Sequence, residues 1–188
     1  MTKILKSKLL EIFNKHSNQL NELIFRDKAK HFWDEVNLNS DYTSVYYTNN
    51  FLDYQLEYYR YQNKKCIDLS FVHFNEKKVV SIFPIFLIKN KTRQNIFYLN
   101  DSLIAPLFTK SVNNNLRNKY FNLFYVVLLE FVKFTKSKIS FLDLTHNNDG
   151  IGNFHFYMLN KAKQIYLEHY LFLKIDNEID KTRKNIRK

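Results

Sequence analysis

Asp143 and His146 stand three residues apart in the segment FLDLTHNN, with Thr145 beside them. A carboxylate and an imidazole at the end of a strand have the types needed for a general base and its orienting partner. Strand ends line clefts in α/β proteins, which is where such a pair is useful. The same residues also serve as a helix cap and a solvated turn. A second cluster, Asn100, Asp101 and Ser102, reads as the opening of a loop that precedes a long helix. Free N–H groups at a helix start favour anions, so these three suit a ligand held there. Ordinary turn and capping chemistry draws on the same residue types. A third set, Arg183 and Arg187, lies among Lys181, Lys184 and Lys188. It offers phosphates a cationic face, or water a solvated one.

Other chemistries lack their residues. The chain of 188 residues has only 2 Gly and 2 Pro. A Gly-rich phosphate loop, a dinucleotide fingerprint and a nucleophile elbow each need glycines at fixed spacing. The histidines at 16, 31, 73, 146, 155 and 169 form neither an HExxH pattern nor a paired spacing with Cys66, so no metal site is expected. Cys66 is the only cysteine. It has no internal disulfide partner, which fits a reducing compartment and a cytoplasmic location.

The formal net charge is +11, with 18 Phe and 13 Tyr. A polyanionic partner is one reading: RNA, an anionic membrane face or a nucleotide-linked substrate. Composition bias is the other, since Lys, Asn, Ile, Phe and Tyr are all abundant. Phe71, Phe83, Phe86 and Phe97 alternate with aliphatic residues, which is a core pattern. Tyr58, Tyr59 and Tyr61 surround Arg60 and would suit either a core or a base-stacking surface. The N-terminus lacks the apolar core and cleavage site of a secretory signal. The most apolar run, residues 123–129, is far shorter than a bilayer span, so no transmembrane segment is expected.

Periodicity gives the elements that must position these residues. Leu5, Leu9, Ile12 and Phe13, continued by Leu20, Leu23 and Ile24, predict a helix over 3–23. A connection holding Phe32, Trp33 and Val36 follows, and then a helix over 50–62 capped by Thr48 or Asn49. Strands are predicted over 66–74, 79–88 and 95–99, joined by polar turns into an antiparallel meander. Pro84 cannot donate to a ladder, so a bulge or a locally unpaired edge is expected there. A loop over 100–111 leads to a helix over 113–136 and a strand over 138–144. A turn at 147–150, a helix over 153–163, a strand over 164–175 and a terminal helix complete the order. The expected class is α/β in the broad sense (α+β): a mixed, largely antiparallel sheet flanked by helices.

In the terminal helix, Asp176, Glu178 and Asp180 precede the basic run, which suits the helix dipole. Ile175, Ile179, Thr182 and Ile186 make an apolar stripe, and no cap or proline follows. The expectation is a helix that continues into a further segment. A strand, an acidic helix start and then Arg183-Lys184-Asn185-Ile186-Arg187-Lys188 resemble the junction in FemAB-like proteins. There an R-x-x-I-R-K type segment follows the last strand of the first acyltransferase-like half. The element order is similar to the GNAT acyltransferase fold, and NNFLDYQLEYY at 49–59 resembles an early helix of such chains.

The resemblance implies a GNAT-like domain over 1–175 and the start of a connecting helix over 176–188, with a second GNAT-like half beyond. It implies transfer of an acyl or aminoacyl group onto an amine acceptor, such as a small molecule or a cell-envelope or nucleotide-linked precursor. Acyl-CoA or aminoacyl-tRNA would be the donor of the complete protein, and no cofactor would be held within this chain. Asn100, Asp101, Ser102, Asp143 and His146 would line the acceptor cleft, and Arg183 and Arg187 would meet anionic groups. A CoA-binding half carries glycines in the loop before its long helix. Here that region reads DSLIAPLFTKSV, so its backbone is not built to cradle a pyrophosphate in that way. No catalytic residue is assigned, and this half alone would be an incomplete enzyme. The alternative is a noncatalytic basic module that binds RNA or an anionic membrane surface.

Overall fold

The computed structural model describes residues 1–42, 44–89, 97–141 and 154. Its centre is a hairpin whose turn is set by Glu76 and Lys77, with φ of 51° and 62°. Two positive φ values in a two-residue connection match the right-handed twist of the flanking strands. Both arms of the hairpin are interrupted partway. The first arm is β2 (Lys65–Asp68) and β3 (Phe71–Asn75). The second is β4 (Lys78–Phe83) and β5 (Phe86–Lys89). Pro84, with no N–H to offer, ends β4. Opposite it, the Ile85 N–H donates to Ser70 Oγ at 3.0 Å. The Leu69 N–H donates to the Ile85 carbonyl at 2.9 Å. The register carries across this break, since Phe71 faces Phe83 and Asp68 faces Phe86.

The third arm is interrupted as well. Its parts are β6 (Phe97–Leu103) and β7 (Leu107–Phe108), with Ile104, Ala105 and Pro106 between. The three breaks lie side by side and crease the meander into two four-stranded sheets. Including β1 (Asn21–Phe25) and β8 (Lys138–Phe141), their orders are β1-β3-β4-β7 and β2-β5-β6-β8. Every described pair is antiparallel except β6–β8, which is parallel. A parallel pair needs a long crossover, here supplied by α4 (Asn114–Thr135).

Helices cover both faces. α1 (Thr2–His16) and α4 pack with Leu23, Phe71, Phe83 and Leu87 in one apolar cluster. α2 (Lys30–Leu38) and α3 (Asn49–Tyr61) pack with Val72, Ile82, Phe86 and Ile88 in the other. Successive strand residues therefore serve opposite layers, as the period of two requires. The class is mixed α+β with a largely antiparallel sheet, as the patterning predicts. Among the described residues no helix is long and apolar enough to cross a membrane.

Four sequence expectations are corrected. The helix predicted over 3–23 ends at His16, where the Ser17 N–H donates back to the Phe13 carbonyl. The Asn18 side chain then accepts from the Leu20 N–H, and Asn21–Phe25 pairs with β3. Leu20, Leu23 and Ile24 fit the helical spacing of α1, but local Asn chemistry redirects the chain. The connection holding Phe32, Trp33 and Val36 is itself a helix, α2. The strand predicted over 66–74 is two strands, because the crease runs through it. Asn100, Asp101 and Ser102 belong to β6 rather than to a loop. The predicted capping of α3 by Thr48 is found, its side chain accepting from the Phe51 N–H at 3.2 Å. The turn predicted over 147–150, the strand over 164–175 and the terminal helix lie outside the described residues, as does the helix over 153–163 apart from Phe154.

Candidate functional site

The pairing of β6 with β8 slips within one short stretch. Leu99 faces Ile139 and Leu103 faces Phe141, so four steps along β6 match two along β8. Asn100, Asp101 and Ser102 stand there against Ser140 alone, a surplus of two residues. A bulge leaves backbone groups out of the ladder and re-aims the strand, and bulges recur beside active sites. The three candidates thus sit together at an irregular point of a parallel pair, not at a helix start. The start of α4 is occupied instead by Asn113, whose Oδ1 accepts from the Leu116 N–H at 3.0 Å. Asp143, His146, Arg183 and Arg187 lie outside the described residues.

Where β6 passes into β7, the chain borders a cavity of about 120 Å3. Its walls come from three places. The crease contributes Ala105, Pro106, Leu107 and Phe108, α4 contributes Arg117 and Phe121, and the segment between α2 and α3 contributes Asp41, Tyr42 and Tyr47. Phe154 adds a further wall. Tyr47 is fixed at both ends: its hydroxyl donates to the Ala105 carbonyl at 2.8 Å, and its own carbonyl accepts from Trp33 Nε1 at 2.7 Å. At the mouth, Arg117 Nη2 donates to Asp41 Oδ2 at 2.9 Å, while Arg117 Nε donates to the Val112 carbonyl at 2.9 Å. An apolar interior with an oriented ion pair at its rim is the usual make-up of a small-molecule site, on a small scale. Sequence reasoning missed this group. Asp41 and Arg117 are 76 residues apart, and no motif spacing links them.

Two other polar clusters are structural. Arg26 is a core residue with 3% of its side chain exposed, bonded to Asp68 by Nε and Nη2, to Asp53 by Nη2 and to Asn49 by Nη1. Burial opposes its charge, but Asp68 and then Asp53 outweigh it and hold its pKa above the usual arginine value. His73 is fully buried, with Nε2 2.8 Å from Asn21 Oδ1 and Nδ1 3.4 Å from Ser81 Oγ. Ser, His and Asn are the types of a nucleophilic relay. Here Ser81 is also fully buried, and the imidazole is packed edge-on against Phe13, Tyr120 and Phe124, so no substrate reaches it. Burial pushes the His73 pKa down to about 3, leaving a neutral ring.

Among the described residues no group of three or more His, Cys, Asp or Glu is placed to hold a metal ion. No family model, no curated protein and no solved structure matches this chain.

Proposed function

We propose that the chain is the first half of a FemAB/GNAT-like transferase that moves an acyl or aminoacyl group onto an amine. The supporting observation is the parallel β6–β8 pair, joined through α4 and bulged at Asn100–Asp101–Ser102. A bulge in one strand of a parallel pair opens the ladder and leaves backbone N–H groups to meet an acyl oxygen. Such donors stabilise charge that develops on that oxygen as an amine attacks, and a nearby base takes the amine's proton. The cavity beside Pro106 lies further along the same arm of the meander, past the end of β6, and would hold the acceptor. Acyl-CoA or aminoacyl-tRNA is the donor in this reading, with a second half completing the enzyme. Assays of this exact chain with both donors and amine acceptors test it. Transfer to an amine that depends on one of the two donors is the expected result. No transfer with either donor would sink the reading.

One surface favours a second reading, a basic module for RNA. On α3, Tyr54 and Tyr58 are stacked at 6.1 Å and 20°, and Tyr61 is 87% exposed. Arg60 and Lys65 are exposed at the same end of the helix. Aromatic rings beside cations suit unpaired bases and their phosphates.

A further inference from the structure

We infer that the cavity beside Pro106 binds an α-amino acid with an apolar side chain, with Asp41 and Arg117 taking its charged ends. The inner walls at Leu107, Phe108, Phe121 and Phe154 are apolar and suit only a hydrocarbon group. The volume of about 120 Å3 is well above the roughly 10–15 Å3 that a single water needs, so the interior has room for a side chain. The mouth is not a single charge but a pair, Arg117 Nη2 to Asp41 Oδ2 at 2.9 Å, with side chains 26% and 59% exposed. A lone carboxylate or a lone amine docking there gains one partner and meets one like charge. A zwitterion aligned antiparallel to the pair gains two partners and meets none, because its carboxylate faces the guanidinium and its ammonium faces Asp41. Complementarity of this kind discriminates by penalising the wrong ligand as well as by attracting the right one.

The guanidinium is also preoriented. Its Nε is tied to the Val112 carbonyl, which fixes the plane of the fork and lowers the cost of ordering it on binding. Only two of its five N–H donors are needed for Asp41 and Val112. The Asp41–Arg117 contact also ties the segment between α2 and α3 onto α4. As a statement about binding, the inference is independent of the transferase reading. As a statement about the acceptor class, it rests on that reading.

Calorimetric titration of the full chain with L-leucine, 4-methylpentanoate and isoamylamine tests it. Saturable heat with leucine is expected, with 4-methylpentanoate and isoamylamine each weaker by about tenfold or more, since each loses one charged hydrogen bond. Asp41→Asn should weaken leucine binding about tenfold while circular dichroism stays unchanged. No saturable heat with leucine, equal affinity for 4-methylpentanoate, or full affinity in Asp41→Asn would each overturn the inference. If Asp41→Asn does not fold, the ligand series on the unaltered chain decides. Leucine binding without acyl transfer leaves this site standing and removes the transferase reading. Transfer to other amines without leucine binding does the reverse.

Discussion

An imidazole in an apolar core is tolerated only while it is neutral. His73 meets this condition by donating from Nε2 to Asn21 and accepting at Nδ1 from Ser81, beneath Phe13, Tyr120 and Phe124. In the unfolded chain it takes up a proton near its ordinary value of 6.5, whereas burial holds it at about 3 in the fold. Between those values the unfolded state binds more protons, so stability rises with pH. The contribution is fully present above pH 6.5 and is lost as pH falls toward 3, at up to about 1.4 kcal/mol per pH unit. His73→Gln keeps a hydrogen-bonding side chain but does not titrate. Urea unfolding of both forms between pH 4.5 and 7.5 should show a shallower slope for the variant. An unchanged slope would assign the pH dependence to other groups. His73 was visible in the sequence as one histidine among six. Its burial was not, because that depends on α1 and α4 together covering one face of β3.

Arg26 does at the scale of elements what His73 does within the core. It follows β1, yet its guanidinium joins Asp68 at the end of β2 to Asn49 and Asp53 on α3. Removing one partner of a buried ion pair leaves the other uncompensated, which typically costs about 3 to 5 kcal/mol. Asp68 keeps some solvent access and Asp53 retains Lys30, so about 3 kcal/mol is the expected loss for Arg26→Met. Chemical denaturation measures it directly. A loss under 1 kcal/mol would mean that the network contributes little beyond surface pairing.

The elements themselves were legible wherever local chemistry dominated. The cap at Thr48, the turn at Glu76–Lys77 and the long amphipathic α4 follow from a few adjacent residues. The bend at Pro84 was foreseeable as a break in one strand. That Ser70 and Ala105–Pro106 break beside it was not, since the alignment of three separate segments is a property of pairing. β1 was hidden for a similar reason: five residues of a strand carry less periodic signal than the helix that precedes them. The bulge at Asn100–Ser102 draws attention to residues already singled out by type, whereas Asp41 and Arg117 meet only through the fold.

For the molecule as a whole, the net charge of +11 and the exposed tyrosines of α3 bear on the same question. Cations on a chain attract phosphates whatever the site, and such binding weakens with added salt. Stacking on Tyr54, Tyr58 and Tyr61 would add a contribution that salt does not remove. Titration of single-stranded RNA at several salt concentrations separates the two. If α3 is a nucleic-acid surface, Tyr58→Ala should weaken binding by about 1 to 3 kcal/mol with the salt slope unchanged. If Tyr58→Ala leaves the affinity intact, the charge acts diffusely and the RNA reading fails.

The crease has a further consequence in the third arm of the meander. Between Leu99 and Leu107 that arm spends eight residue steps where the central arm, from Ile82 to Leu87, spends five. The hairpin opposite has no such surplus at the crease. The third arm therefore carries spare length at the point where it also borders the cavity and the β8 pair. Insertions or deletions there can be taken up locally without shifting the register of the buried hairpin. The architecture thus concentrates its tolerance for change in length next to its candidate chemistry, and keeps its intolerance in the arms that hold the core.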